Sequence, residues 1–466
     1  MSDEHQPQDD LYPENSERTL EPFFEPQADT GSLRQYWVFF SGQLFSLFGS
    51  SVVQFAIIWW LTLTSESRYP GQTGLILSLA SVAGFAPFVI TSLFAGVLVD
   101  RWNRKIVIGT ADATQAFVTA ILIIAFYLGF ATIPVVLVIL AIRGMAQGFH
   151  SPATQAIIIL MVPKEKLTSV NSYQYLFNGL INLVGPVIGA IAVEAVGVDH
   201  IATILWLDVI SFAVAVIPLI MITIPDITKE KRERGHKNSF RREFSEGISF
   251  IVNAKGLLPL LLTFTFINIL SSPVFMLLPL VVVSPDLLHG TATTLGVIMA
   301  ASQGGSIIGS FMLTRRELFQ KNVQGVALGQ LLTYIGIFIL ALSALQGNLY
   351  GALIGMFITG ISLPLSNIHS QNIWQSVVPP ELQGRVMAVR QTIAWLMIPV
   401  AQLIGGVISD RIGIVNLFIG SVAIGTVILT IAWYFTSFQN VEKILGLDPE
   451  TSATTSLDQD YIASDQ

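Results

Sequence analysis

The chain has 466 residues, of which 52% are apolar, only 12% are charged and none is cysteine. A soluble domain carries about a quarter charged residues, so a row of water-soluble domains is excluded, and the lack of cysteine excludes disulfides and thiolate metal sites. The formal net charge of −7 conceals a division. Acids crowd the two ends, from Asp3 to Asp29 and from Glu442 to Asp465, while the body between them is basic. Polar and poor in apolar residues, 1–34 and 438–466 read as disordered acidic tails, and the first has no secretory-signal pattern.

A hydrocarbon core about 30 Å thick needs about 20 apolar residues per helix. Twelve runs meet that length: 35–64, 73–99, 106–128, 133–161, 170–196, 201–224, 257–284, 293–314, 323–345, 349–376, 386–409 and 413–437. The ten-residue alternation of a membrane β-barrel is absent, so the expected fold is an all-α membrane protein. Bases gather in alternate connections: Arg101, Arg104 and Lys105; Lys164 and Lys166; Arg315, Arg316 and Lys321; Arg385 and Arg390. The connection at 225–256 adds eight more, and the opposite loops hold only Arg68 and Arg411. The positive-inside rule then makes the basic side cytoplasmic, with both termini.

The basic linker 225–256 separates six runs at 35–224 from six at 257–437. Sliding one half along the other until Gly144 falls on Gly360 also lays Gln155 on Gln371, Pro163 on Pro379, Glu165 on Glu381 and Val170 on Val386. Gly189 then falls on Gly405 and Gly197 on Gly413. Two parallel six-helix repeats are what a rocking transporter requires.

The segment GVLVDRWNRK, from Gly96 to Lys105, ends the second run. There the chain resembles the major facilitator superfamily, matching its Gly-x-Leu-x-Asp-Arg-x-Gly-Arg-Lys signature at Gly96, Leu98, Asp100, Arg101, Arg104 and Lys105. Asn103 stands where glycine is usual, and asparagine tolerates the left-handed turn conformation better than most residues. The resemblance implies that Asp100 and Arg104 latch the halves in one transport state. The alternative is that the bases only fix topology.

Arg143 opens RGMAQGF in the fourth run, which resembles a second superfamily motif. An arginine at mid-bilayer costs about 3 kcal/mol on insertion scales, so it must face protein or water. Arg143, Gln147 and His150 share one helical stripe. The stripe either finds neighbouring backbone carbonyls or belongs to a cavity sensing substrate charge or a coupling proton. In the fifth run Gly179, Gly185, Pro186 and Gly189 resemble the exporter-associated motif; missing side chains permit close helix approach. Gly305 and Gly309 in the eighth run have similar spacing.

The superfamily arrangement implies that runs 1, 4, 7 and 10 surround a central cavity. They offer Gln43, Ser50 and Gln54; Asn268, Ser272 and Phe275; and Ser362, Ser366 and His369, as substrate contacts or as ordinary interhelical hydrogen bonds. These runs hold no carboxylate, which points to a neutral or amphiphilic substrate. Of the intramembrane acids, Asp112 and Asp208 lie on runs peripheral in this fold and are expected to be structural. That leaves Glu194, His150 and His369 as the titrating groups, histidine being the side chain that changes charge near neutrality.

No P-loop and no zinc-protease motif occur, and the histidines have no metal-ligand spacing. No enzyme activity, cofactor, metal or nucleic-acid partner is expected. GQLFSLFGSSVVQFAIIWW, the motif at 96–105 and VPPELQGRVMAV resemble the macrolide-efflux branch of drug:proton antiporters. The implied function is export of a small amphiphilic compound across the inner or plasma membrane by proton-coupled alternating access. An uptake permease of the same fold and a non-transporting membrane receptor are the alternatives.

Overall fold

The structure, a computed structural model, describes residues 30–99, 102–222, 240–254, 256–315, 319 and 321–445. Among the described residues, twelve helices are long and apolar enough to cross a membrane. Six precede the linker: α1 (Thr30–Arg68), α2 (Thr73–Val99), α3 (Arg104–Tyr127), α4 (Ile133–Met161), α5 (Lys164–Val196) and α6 (Ile201–Met221). The linker holds α7 (Phe240–Asn253). The second six are α8 (Leu257–Val283), α9 (Ala292–Arg315), α10 (Asn322–Leu345), α11 (Leu349–Val377), α12 (Pro380–Ile412) and α13 (Ile414–Phe435). A short α14 (Val441–Ile444) follows. Each expected apolar run corresponds to one helix, its ends shifted by a few residues, because lipid offers no partner for backbone amides and a helix pairs them internally.

The halves are built alike. α2 packs on α4, α3 on α4 and α6, and α1 on α5 and α6; correspondingly α9 packs on α11, α10 on α11 and α13, and α8 on α12 and α13. The repeat reaches single dihedral angles. Pro163 enters α5 with φ −55° and ψ 144°, and Pro379 enters α12 with −54° and 144°. Gly197 leaves α5 with φ 84° and ψ 151°, and Gly413 leaves α12 with 85° and 149°. Those last angles are open in practice only to glycine, which is why both exits carry one.

Three apolar clusters divide the interior. One belongs to both halves at the face opposite the basic turns and includes Leu61, Leu77, Leu278 and Leu295. At the basic face the cores are separate: Phe39, Ile157 and Leu219 in the first half, and Leu260, Trp374 and Val386 in the second. Halves joined at one face and separately cored at the other enclose a cavity that opens toward the basic turns.

Structure also extends outside the two bundles. In the linker α7 lays Gly247 against α12 and buries Ile251, and Glu246 accepts from Arg385. The second tail is ordered at its start, with Phe438, Val441 and Glu442 buried. Glu442 accepts from Asn322 N at 2.9 Å and Val323 N at 3.1 Å, satisfying the free amides that begin α10. The remaining tail residues, 1–29 and 446–466, and the basic stretch 223–239 lie outside the described residues.

Candidate functional site: the cavity between the halves

A cavity of about 920 Å³ lies between the halves, walled by α1, α2, α4, α5 and α6 on one side and α8, α9, α11 and α12 on the other, with α3 contributing Asp112 and Gln115. Its wall is largely apolar, with Phe55, Phe85, Phe88, Phe212 and Phe275 among its aromatic rings and Met276, Met299 and Met356 as adaptable thioethers. Phe85 and Phe88 also reach Trp395 of α12, both at 6.2 Å between ring centroids.

Polar side chains gather on the first half. Gln43, Gln54, Arg143, Gln147 and His150 all line the cavity, as expected from their helical faces. Gly144 and Gly148, on the same helix as that stripe, bring α4 close onto α2. A Cβ at Gly144 would stand 2.0 Å from the Gly84 carbonyl oxygen, and one at Gly148 would stand 2.4 Å from the Thr91 hydroxyl.

Arg143 does not rely on backbone carbonyls. Its Nη1 donates to Asp208 Oδ2 and to Thr119 Oγ1. Asp208 is wholly buried and also accepts from Thr119 Oγ1 at 2.9 Å and Ser50 Oγ at 2.8 Å. One carboxylate thereby ties α1, α3, α4 and α6 together. A buried ion pair persists only when its remaining lone pairs are met in this way.

Two turns along α4, His150 meets a second acid. Its Nε2 is 3.0 Å from Gln43 Oε1 and 3.3 Å from Asp112 Oδ1, and Gln43 Nε2 donates to Asp112 Oδ2 at 3.4 Å. Asp112 Oδ1 is buried and receives no hydrogen bond. With His150 Nε2 donating to Gln43, the carboxylate oxygen beside it lacks a proton donor. The cluster therefore has room for one more proton, on the carboxylate or on the ring.

Of the two acids expected to be structural, Asp208 is such a tie and lies outside the cavity wall, whereas Asp112 stands in the wall. Both helices carrying them are peripheral, yet both side chains point inward to α4. No carboxylate of the wall comes from the first, fourth, seventh or tenth membrane helix, but Asp112 adds one from α3. Glu194 is exposed at the far end of α5, where it accepts from Thr293 Oγ1, so it is not a buried titrating acid. Asn268 is not part of the wall. Ser366 is buried against Gly329 of α10, and His369 sits beside Gly325 with Nδ1 3.0 Å from Asn322 Oδ1. Both belong to the α10–α11 contact because α11 turns that face away from the cavity.

Of the glycines expected at helix contacts, Gly185, Gly189, Gly305 and Gly309 meet a neighbouring helix, while a Cβ at Gly179 would meet nothing within 4 Å. A Cβ at Gly185 would strike Ser51 Oγ at 2.2 Å, and one at Gly189 would lie 2.9 Å from the Val52 carbonyl oxygen, so α5 packs closely on α1. Pro186 lines the cavity. Gly305 and Gly309 admit the Phe357 and Ile361 carbonyl oxygens of α11 at 2.2 and 2.8 Å from such a Cβ.

In the segment at 96–105, Asp100 and Arg101 lie outside the described residues, as do the surroundings of Gly96. Asn103 is not left-handed: at φ −67° and ψ 114° it caps α3, its side chain accepting from Lys105 N and Ile106 N. Lys105 Nζ donates to the Ile220 and Ile222 carbonyls at 2.9 and 2.8 Å, holding the end of α6 within its own half. Arg104 is buried at the start of α3.

Two six-helix repeats around a largely apolar cavity with a polar cluster on one side have the architecture of an alternating-access transporter. The chain belongs to the Major Facilitator Superfamily, whose sequence profile matches residues 39–401. It is 29% identical over 413 residues to macrolide efflux protein A of Streptococcus pyogenes, covering 88% of this chain and 97% of that one. It is 25% identical over 387 residues to the multidrug efflux pump Tap of Mycolicibacterium fortuitum, covering 78% and 86%. Among solved structures, the D-xylose-proton symporter aligns with a TM-score of 0.65 over 87% of this chain and 98% of that one at 12% identity. An inward-facing bacterial homologue of ferroportin aligns at 0.62 over 86% and 99%, at 16% identity. Those two likenesses are of fold. The sequence relatives place the chain with the macrolide-efflux branch, and its family is one of transporters, not enzymes.

Proposed function

We propose that the protein exports a small amphiphilic compound, of macrolide-like size and character, from the cell in exchange for protons. The carrying observation is the pairing of a largely apolar, aromatic and methionine-rich cavity with a proton-accepting cluster, Asp112, His150 and Gln43, in its wall. By the positive-inside rule the basic face is cytoplasmic, and export from the cell places the protein in the cell membrane. The described conformation is then open to the cytoplasm, ready to take a compound from that side.

Coupling needs only that proton and substrate bind differently to the two states. Asp112 and His150 lie on α3 and α4, and Gln43 joins them to α1, so a proton arriving there alters contacts among three helices that border the cavity. Arg143 and Asp208 hold α4 in register beside that cluster and keep a fixed positive charge at the wall. The Asp100–Arg104 latch belongs to the same cycle, closing the basic face when the opposite face opens.

The test is flux in inverted vesicles under an imposed pH gradient, with a panel of macrolides and other amphiphiles. Uphill movement that collapses with the gradient supports the reading. Movement down the substrate gradient alone, indifferent to pH, overturns proton coupling, and accumulation in the opposite sense favours an uptake permease.

A further inference from the structure

Two carboxylates at the face opposite the basic turns reach from one half to the other. Asp410, in the last turn of α12, accepts Gly74 N–H at 2.9 Å and Leu75 N–H at 2.8 Å. Those amides are among the unpaired donors that begin α2. Thr73, the first residue of that helix, donates its hydroxyl to Glu66 at the end of α1 at 2.8 Å. Glu194, in the last turn of α5, accepts from the hydroxyl of Thr293 in the first turn of α9. In each place a carboxylate from one half meets the positive end of a helix in the other.

The sites are related by the internal repeat. The slide that lays Gly189 on Gly405 lays Glu194 on Asp410, and Ala190 on Gly406. Those small residues lie one turn before the acids and mark where the halves touch. A Cβ on Gly406 would stand 2.4 Å from the Gly74 carbonyl oxygen, and one on Gly296 would stand 2.8 Å from Ala190 Cβ. Close backbone approach at both points is what lets short carboxylates span the boundary.

We propose that Asp410 and Glu194 form a two-point latch, each acid capping the opposing half, that holds this face closed and sets how readily the transporter opens there. The inference rests on the alternating-access reading. Rocking the halves apart withdraws both carboxylates from their helix ends at once, so the closed state carries two charge-assisted contacts that the open state lacks. Neither acid lines the cavity. They are positioning residues, acting on the balance of states and not on substrate.

The absence of native cysteine makes the test direct. Ser78 of α2 is fully buried beside Gly406 and does not line the cavity. In nanodiscs, accessible from both faces, the Ser78→Cys protein is reacted with a membrane-impermeant maleimide. Asp410→Ala and Glu194→Ala are each expected to raise the labelling rate about fivefold, a usual effect of losing a helix cap. Together they are expected to raise it about 25-fold, because separate contacts add in free energy. Should Asp410→Ala lower folded yield, Asp410→Asn, which keeps one acceptor, is expected to raise the rate about twofold, and Glu194 is exposed enough to tolerate change. An unaltered rate in the folded double variant overturns the latch, as does a double variant no faster than either single one. Labelling needs no substrate, so the two readings separate. Raised labelling with no flux of any amphiphile sinks the transport reading and keeps the latch, while active flux with unaltered labelling sinks the latch alone.

Discussion

At the scale of single residues, the two acid–base pairs of the first half look alike in sequence and differ in how their lone pairs are filled. Asp208 accepts from Arg143, Thr119 and Ser50, whereas Asp112 keeps one buried oxygen without a donor. The first is a structural tie and the second, on the proposed coupling, a proton site, and different experiments separate them. Asp208→Asn leaves Arg143 buried without its counter-charge and is expected to cost about 3–5 kcal/mol, read as a fall in thermal stability and folded yield. Adding Arg143→Gln should recover much of that stability without restoring transport, a non-additivity that a double-mutant cycle measures. Asp112→Asn preserves shape and the hydrogen bond to Gln43, so it should fold normally and lose pH-driven flux. His150→Gln should do the same to a lesser degree, since the carboxylate remains. Full pH-driven flux in folded Asp112→Asn protein would remove the cluster from the mechanism.

At the scale of elements, close backbone approach determines which helix faces meet. Gly144 and Gly360, paired by the repeat, each admit a carbonyl oxygen of the neighbouring helix, from Gly84 and from Ser302, at 2.0 and 1.9 Å from where a Cβ would stand. Gly144→Ala and Gly360→Ala are each expected to destabilise by about 1–3 kcal/mol through overpacking, and melting temperature in detergent checks it. Gly144→Ala carries a further consequence, because moving α4 from α2 displaces Arg143 and His150 and should impair flux beyond the loss of folded protein. Helix ends contribute on a smaller scale: removing the Asn103 cap with Asn103→Ala should cost about 1 kcal/mol, visible as a modest shift in melting.

At the scale of the whole molecule, the halves share one apolar core at one face and keep separate cores at the other. A molecule built in this way opens by exchanging which face holds the shared contact, with α2 against α12 and α5 against α9 as the surfaces that part. The orientation of that axis is tested with single cysteines in the cysteine-free chain. Gln72→Cys, exposed between α1 and α2, should react with an impermeant reagent on intact cells, and Ser249→Cys, exposed on α7, only after permeabilisation. The reverse pattern would invert the topology and, with it, the direction of transport.

The sequence by itself determined the twelve helices, their division into two repeats, the basic face and the family. These follow from local quantities: run length, charge between runs, and motifs that need no partner to be read. The α4 stripe of Arg143, Gln147 and His150 was legible for the same reason, being three positions on one helix. Only the tertiary structure decided what the stripe meets. Asp112 and Asp208 sit on peripheral helices, and nothing in their own segments says that their side chains meet α4. It decided equally that His369 and Ser366 face α10, since α11 is apolar and polar on several sides and its rotation is set by Gly325 and Gly329 of its neighbour. Asp410 shows the boundary between the two kinds of information. Its equivalence to Glu194 was already present in the repeat, but a helix end to be capped in the opposing half exists only once both halves have folded and closed together.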